Sequence, residues 1–190
     1  MGSRIMHISI ATKVCAKVEL NKNRFLLGSI APDAYLPSKQ FKMISHFANK
    51  GNGPSIDSNA FLDKYNNCLN DSFYLGYYCH LLSDKLWFSK YHKKMQTNRN
   101  HYEDYNRLTN ILIRYYKLEN NFSFFDDFFI QEIDMNVFRN IFEELKNDFI
   151  LEKEITANLL EMFEVEDIKN YIEEAVKLSV NSIEAILLDN

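Results

Sequence analysis

The stretch Asp71–Trp87, DSFYLGYYCHLLSDKLW, constrains this chain more than any other. From Phe73 to Leu82 it is almost unbroken apolar and aromatic sequence. A helix that is apolar all round belongs inside a domain rather than on its surface. The run is too short to cross a bilayer, which takes roughly 20 residues. Yet this helix carries His80 and Asp84, four residues apart and so one turn apart on one face. Gly76 stands one turn before His80 and leaves room for something to approach. A buried imidazole and carboxylate need a partner, because an uncompensated buried charge is expensive. An ordinary core pair and a shared divalent ion both meet that need, and the helix alone leaves both open.

The rest of the chain reads as helical too. Three of the five Gly and all three Pro fall between Gly28 and Pro54. Long stretches without either breaker favour helices, and no stretch alternates with period two. The spacing of apolar residues predicts helices over Ile5–Leu20, Lys22–Leu27, Ser58–Leu69, Asp71 toward Lys94, Tyr105–Lys117, Val137–Phe149, Ile155–Phe163 and Ile168–Ile186. Phe122–Ile130, FSFFDDFFI, is read as an aromatic connection whose rings face the core. Trp87 and Tyr91 are also read as core. No linker, repeat or low-complexity tract interrupts the sequence, so we expect one all-α domain over residues 1–190 with a buried central helix near 71–94.

Between the second and third helices lies a segment of about 25 residues, longer than connections usually are. It contains GSIAPDAYLP, Ser45-His46-Phe47 and the Gly51–Pro54 turn. Asp33 follows Pro32 directly, so its place is set by a fixed φ. Loops braced by rigid elements often carry function. Three of the five histidines (His7, His46 and His80) and two acids in special settings (Asp33 and Asp84) therefore stand in the first 84 residues. Imidazole and carboxylate are zinc ligands.

The net charge of −4 shows no basic footprint, so general nucleic-acid binding is not expected. Cys15, Cys68 and Cys79 have no paired spacing and read as reduced, largely buried residues. No signal-peptide pattern and no apolar run of membrane-spanning length is present, which places the expectation in the cytoplasm.

The segments RIMH (Arg4–His7), LGSIAPDA (Leu27–Ala34), SHF (Ser45–Phe47) and LGYYCHLLSD (Leu75–Asp84) together resemble the small bacterial zinc-dependent phospholipase C-like proteins. These belong to the all-α superfamily of zinc phospholipases C and single-strand-specific nucleases. The resemblance implies that Asp33, His46, His80 and Asp84 hold a first zinc ion, and that Asp84 bridges to a second with help from His7. It also implies that a zinc-activated water attacks a phosphate ester, with Asp33 as the general base. Members with three zincs carry a later His-x-x-x-acid pair. Here His101 is followed four residues on by Tyr105, so one or two ions are expected rather than three. His92 and His101 are read as surface residues, and Asp104 as capping or solvating a helix start.

The expected activity is metal-dependent hydrolysis of a small phosphate ester or a phospholipid head group. The alternative is a non-catalytic, metal-stabilised helical binding module of the same descent. A phosphohydrolase of the His-Asp domain type ranks below both, since no His-Asp dipeptide occurs.

Overall fold

Two helices that nothing separates organise the molecule. The computed structural model describes residues 3–35, 41–49, 55–91, 101–150, 160 and 164–189. Among these, eight α-helices are found: α1 (Arg4–Cys15), α2 (Lys22–Gly28), α3 (Phe41–Ser45), α4 (Ser58–Lys64), α5 (Ser72–Leu86), α6 (His101–Tyr116), α7 (Met135–Asp148) and α8 (Val165–Asp189). Two-residue strands β1 (Ala48–Asn49) and β2 (Ser55–Ile56) pair antiparallel, with Ala48 opposite Ile56. The all-α expectation is met, and this small hairpin belongs to the long connection that the sequence left without structure.

Helix starts follow their capping residues. Ser3, Asn21, Asp57, Asp71 and Asp134 each accept a backbone N–H of the first turn through the side chain, which satisfies donors that have no partner inside the helix. Asp71 serves twice, because its carboxylate also takes the Arg24 guanidinium. Asn21 N–H donates to Ser72 Oγ at 2.9 Å. The starts of α2 and α5 are thereby fixed side by side.

Further along, α2 and α5 touch backbone to backbone. A Cβ built on Gly76 would stand 2.1 Å from the Phe25 carbonyl oxygen, and one on Gly28 would stand 2.0 Å from the Phe73 carbonyl oxygen. What approaches Gly76 is therefore another helix. No side chain larger than hydrogen fits at either position.

α5 is buried from Ser72 to Asp84, as its composition requires. α1 is nearly as enclosed, with Ile5 to Ala11 all buried, and it packs against α8, α6, α2, α5 and α7. The core thus has two internal helices where the sequence singled out one. α1 also ends at Cys15 rather than Leu20; the chain turns there and brings Val18 into the core from outside the helix.

α5 runs into a π turn at Trp87–Tyr91. Trp87 and Tyr91 are buried against Tyr171 of α8, with ring centroids 4.9 and 5.3 Å from it. They are core, as read from the sequence. In the Phe122–Ile130 connection, Phe122 and Ile130 are buried, Phe124, Phe125 and Phe128 pack on the core, and Phe128 stacks on Phe73 at 3.8 Å. Phe129 departs from that reading and is 69% exposed.

α6 begins at His101, a turn earlier than its apolar stripe. Asp104 is fully buried and accepts from Arg107 at 3.4 Å, which corrects its reading as a solvated helix-start residue. The helix expected at Ile155–Phe163 falls almost wholly outside the described residues, as does His92.

Replacing Gly76 by Ala is expected to lower unfolding free energy by about 2 kcal/mol or more. Overpacking against backbone outweighs the ~1 kcal/mol that Ala gains in a helix interior. Denaturant unfolding measures it, and an unchanged or raised midpoint would contradict the close crossing.

Candidate metal centre

Four separate segments deliver the five side chains singled out in the sequence. α1 supplies His7, and α5 supplies His80 and Asp84. Asp33 comes from a 3-10 turn, Ala31–Asp33, which follows α2 after Ser29 and Ile30. Pro32 sits in that turn, and the Asp33 and Ala34 amides close it onto Ile30 and Ala31. A distant segment then clasps the turn: Asp134 N–H donates to the Ala34 carbonyl at 2.8 Å, and Tyr35 pairs with Ile133.

His46 follows the last residue of α3. Phe47 then takes a positive φ of 50°, a conformation that costs a residue with a Cβ about 1–2 kcal/mol. Its ring packs edge-on against Phe61 at 5.4 Å and Tyr77 at 6.5 Å. Its carbonyl accepts from Asp57 N–H at 2.8 Å. The Tyr77 hydroxyl donates to the Ser45 carbonyl at 2.5 Å. The bend that aims His46 inward is therefore held on both sides.

The five heads converge. His46 Nε2 lies 3.3 Å from His80 Nε2, 3.7 Å from Asp33 Oδ1 and 3.6 Å from Asp84 Oδ2. His80 Nε2 is also 3.6 Å from Asp84 Oδ2. On the other side of the same carboxylate, His7 Nε2 stands 3.6 Å from Asp84 Oδ1. The His7 and His80 rings stack at 3.8 Å and 12°. Within each of the two groups, His7–His80–Asp84 and Asp33–His46–His80, one ligand-type atom per residue lies within 4.8 Å of the others.

Four of the five side chains are at most 3% exposed, while Asp33 is 19% exposed. The centre therefore meets solvent on the Asp33 side.

Burial pushes the His7 pKa down to about 3, helped by the neighbouring His80, so this ring is neutral near pH 7. Burial also opposes charge on His80, but the adjacent Asp84 carboxylate outweighs it and raises the pKa. Asp84 itself is held well below the usual carboxylate range: burial opposes this, and the imidazoles of His80, His7 and His46 overcome it.

The ring orientations suit a cation. His80 Nδ1 lies 2.8 Å from the Ser29 carbonyl, which can only accept, so Nδ1 is the donor and Nε2 of the neutral ring is a bare lone pair. His7 Nε2 has no hydrogen-bond partner among the described residues. Zinc–nitrogen bonds of about 2.0–2.1 Å at a tetrahedral angle set the nitrogens about 3.3 Å apart, which is the spacing of the two Nε2 atoms of His46 and His80. The donor set of imidazoles and carboxylates fits zinc on chemistry and on spacing.

Sequence reasoning missed the groups that orient these rings. Ser29, Ser45 and Ser83 face the Nδ1 atoms of His80, His46 and His7 at 2.8, 3.0 and 3.1 Å. Such partners fix tautomer and aim. Their only signal was the position of Ser83 between His80 and Asp84 and of Ser45 beside His46.

The pKa directions give a pH dependence for chelator-treated protein. His7 has a folded pKa below its ordinary 6.5. Between pH 6.5 and about 3 the unfolded chain holds a proton that the folded protein refuses, so stability falls as pH falls. His80 is raised, so its contribution is complete below 6.5 and is lost only at higher pH. Asp84 is lowered, so its contribution is lost only below about 3.8. From pH 6 to pH 4 the protein is expected to lose roughly 1 kcal/mol per pH unit through His7, and a His7→Gln variant to lack that loss. Equal slopes in the two proteins would contradict a neutral, buried His7.

Comparison with known proteins bears on the same residues. No curated protein and no solved structure matches the chain. A sequence model of the family described as zinc dependent phospholipase C matches residues 5–177, a span that holds all five converging side chains. The chain belongs to the zinc dependent phospholipase C family.

Proposed function

We propose that this protein is a zinc-dependent phosphoric ester hydrolase, phospholipase C-like, with residues 1–190 forming its one domain. The observation that carries the reading is the convergence of three imidazole Nε2 atoms and two carboxylates from four chain segments. In this reading Asp33, His46, His80 and Asp84 would hold one ion, and His7 would join Asp84 in holding a second. When bound, zinc supplies Lewis-acid stabilisation of charge on the phosphoryl oxygens and lowers the pKa of a water nucleophile.

The chain's own groups do the rest. Asp84 offers one carboxylate oxygen to each side, and its enclosure by three imidazoles keeps it ionised. Asp33 is the ligand that reaches solvent, so the ester approaches from its side. As general base, the Asp33 carboxylate takes the proton of the attacking water. His46 and His80 keep Nε2 directed at the shared point through the bonds made at Nδ1. The substrate is a phospholipid head group or a small phosphate ester. Cys15, Cys68 and Cys79 form no disulfide, and no helix among the described residues is long and apolar enough to cross a membrane.

A second reading has an observation of its own. Four of the five ligands are almost completely enclosed, as they are in a metal site that serves folding. In that case the protein is a metal-stabilised helical binding module without turnover.

Two measurements test the assignment. Purified protein is expected to carry one to two zinc ions per chain, and His80→Ala to lose them. Absence of zinc from the wild-type protein after dialysis against the metal would end the zinc reading. Zinc-loaded protein is expected to hydrolyse phosphatidylcholine or bis(p-nitrophenyl) phosphate, with Asp33→Asn lowering kcat by two orders of magnitude or more, the range of general-base removal. Full zinc occupancy without turnover would decide for the binding module.

A further inference from the structure

We propose that Ser83 is the positioning residue for His7: its hydroxyl selects the tautomer that turns His7 Nε2 toward the second metal position beside Asp84 Oδ1. The inference rests on the zinc reading above and names the group that decides whether the second ion is held.

Ser83 is wholly buried one residue before Asp84. Its Oγ lies 2.8 Å from the His80 carbonyl oxygen and 3.1 Å from His7 Nδ1. A hydroxyl has one proton to give, and a carbonyl can only accept. The Ser83 proton therefore goes to the His80 carbonyl. His7 Nδ1 must then carry the proton and donate it to the Ser83 oxygen.

That choice leaves Nε2 as a lone pair 3.6 Å from Asp84 Oδ1, where it meets no other donor among the described residues. The stack of His7 on His80 fixes the ring plane. It does not fix which nitrogen faces Asp84, since a half-turn about the Cβ–Cγ bond keeps the stack. The contact to Ser83 removes that freedom.

Tyr171 of α8 holds the serine in place, its hydroxyl donating to the Ser83 backbone carbonyl at 3.2 Å. His80 is tied elsewhere, to the Ser29 carbonyl. The two metal positions thus take their tautomer control from different groups, and Ser83 governs only the second.

The test is Ser83→Ala, a change that shrinks a buried side chain and leaves the helix intact. Long-range nitrogen–proton correlation spectra of zinc-free protein report the tautomer of His7. The wild type is expected to show the proton on Nδ1, and the variant to show it on Nε2, where it can donate to Asp84. Zinc titration by calorimetry is expected to resolve two sites in the wild type. In the variant the weaker site falls 10–100-fold in affinity, the usual effect of losing such a partner, and the tighter site is unchanged.

A variant that keeps the Nδ1 proton and both affinities overturns the inference, as does one in which both sites weaken together or the protein unfolds. A wild type that binds a single zinc also overturns it while leaving the proposed function standing. A wild type that binds none removes both.

Discussion

A carboxylate wholly out of water imposes a condition on everything around it, and Asp84 is that carboxylate. Transfer of such a group from water is costly unless its charge is met nearby. Here His7, His46 and His80 present Nε2 atoms to its two oxygens at 3.6 Å. An imidazole that turned a bare lone pair toward a carboxylate would repel it. A proton or a metal ion at the shared point turns the repulsion into attraction. The local structure follows from that requirement. Nδ1 of each ring faces a serine oxygen, so Nε2 of each is the atom left for the centre.

The fold meets the condition through backbone proximity. α2 reaches α5 closely enough that Ser29, the residue after Gly28, can take the His80 Nδ1–H. Side chains at positions 28 and 76 would push the helices apart. The same contact places the Ala31–Asp33 turn over the α5 face that carries His80 and Asp84. The Asp134 amide and the Tyr35–Ile133 pair then fasten that turn to a part of the chain about 100 residues away. Packing, turn and coordination are one structural argument: a pair of glycines permits the approach, and the approach delivers two of the residues around His80.

The sequence made much of this legible. The helices with capped starts and strong apolar stripes were found, because a capping side chain and a 3.6-residue period are local signals. The five converging residues stand out in the sequence because Arg4–His7, Pro32–Asp33, Ser45–His46 and His80–Asp84 sit in segments that resemble one family in order. What stayed hidden was non-local. The enclosure of α1 could not be read from Ile5–Ala11 alone, since its burial depends on five other helices. Asp104 looks like a helix-start acid in sequence and is buried only because of what packs over it. The role of Gly76 was half seen: space was expected there, but a second backbone rather than a ligand fills it. The short α3 and the β1–β2 hairpin lack the length for a periodic signal.

Diffraction from zinc-grown crystals, recorded on both sides of the zinc absorption edge, tests the central claim most directly. The account predicts an anomalous peak about 2.0–2.2 Å from His46 Nε2, His80 Nε2 and one oxygen each of Asp33 and Asp84. Density at that point with no anomalous signal, or zinc bound only at other residues, would contradict it.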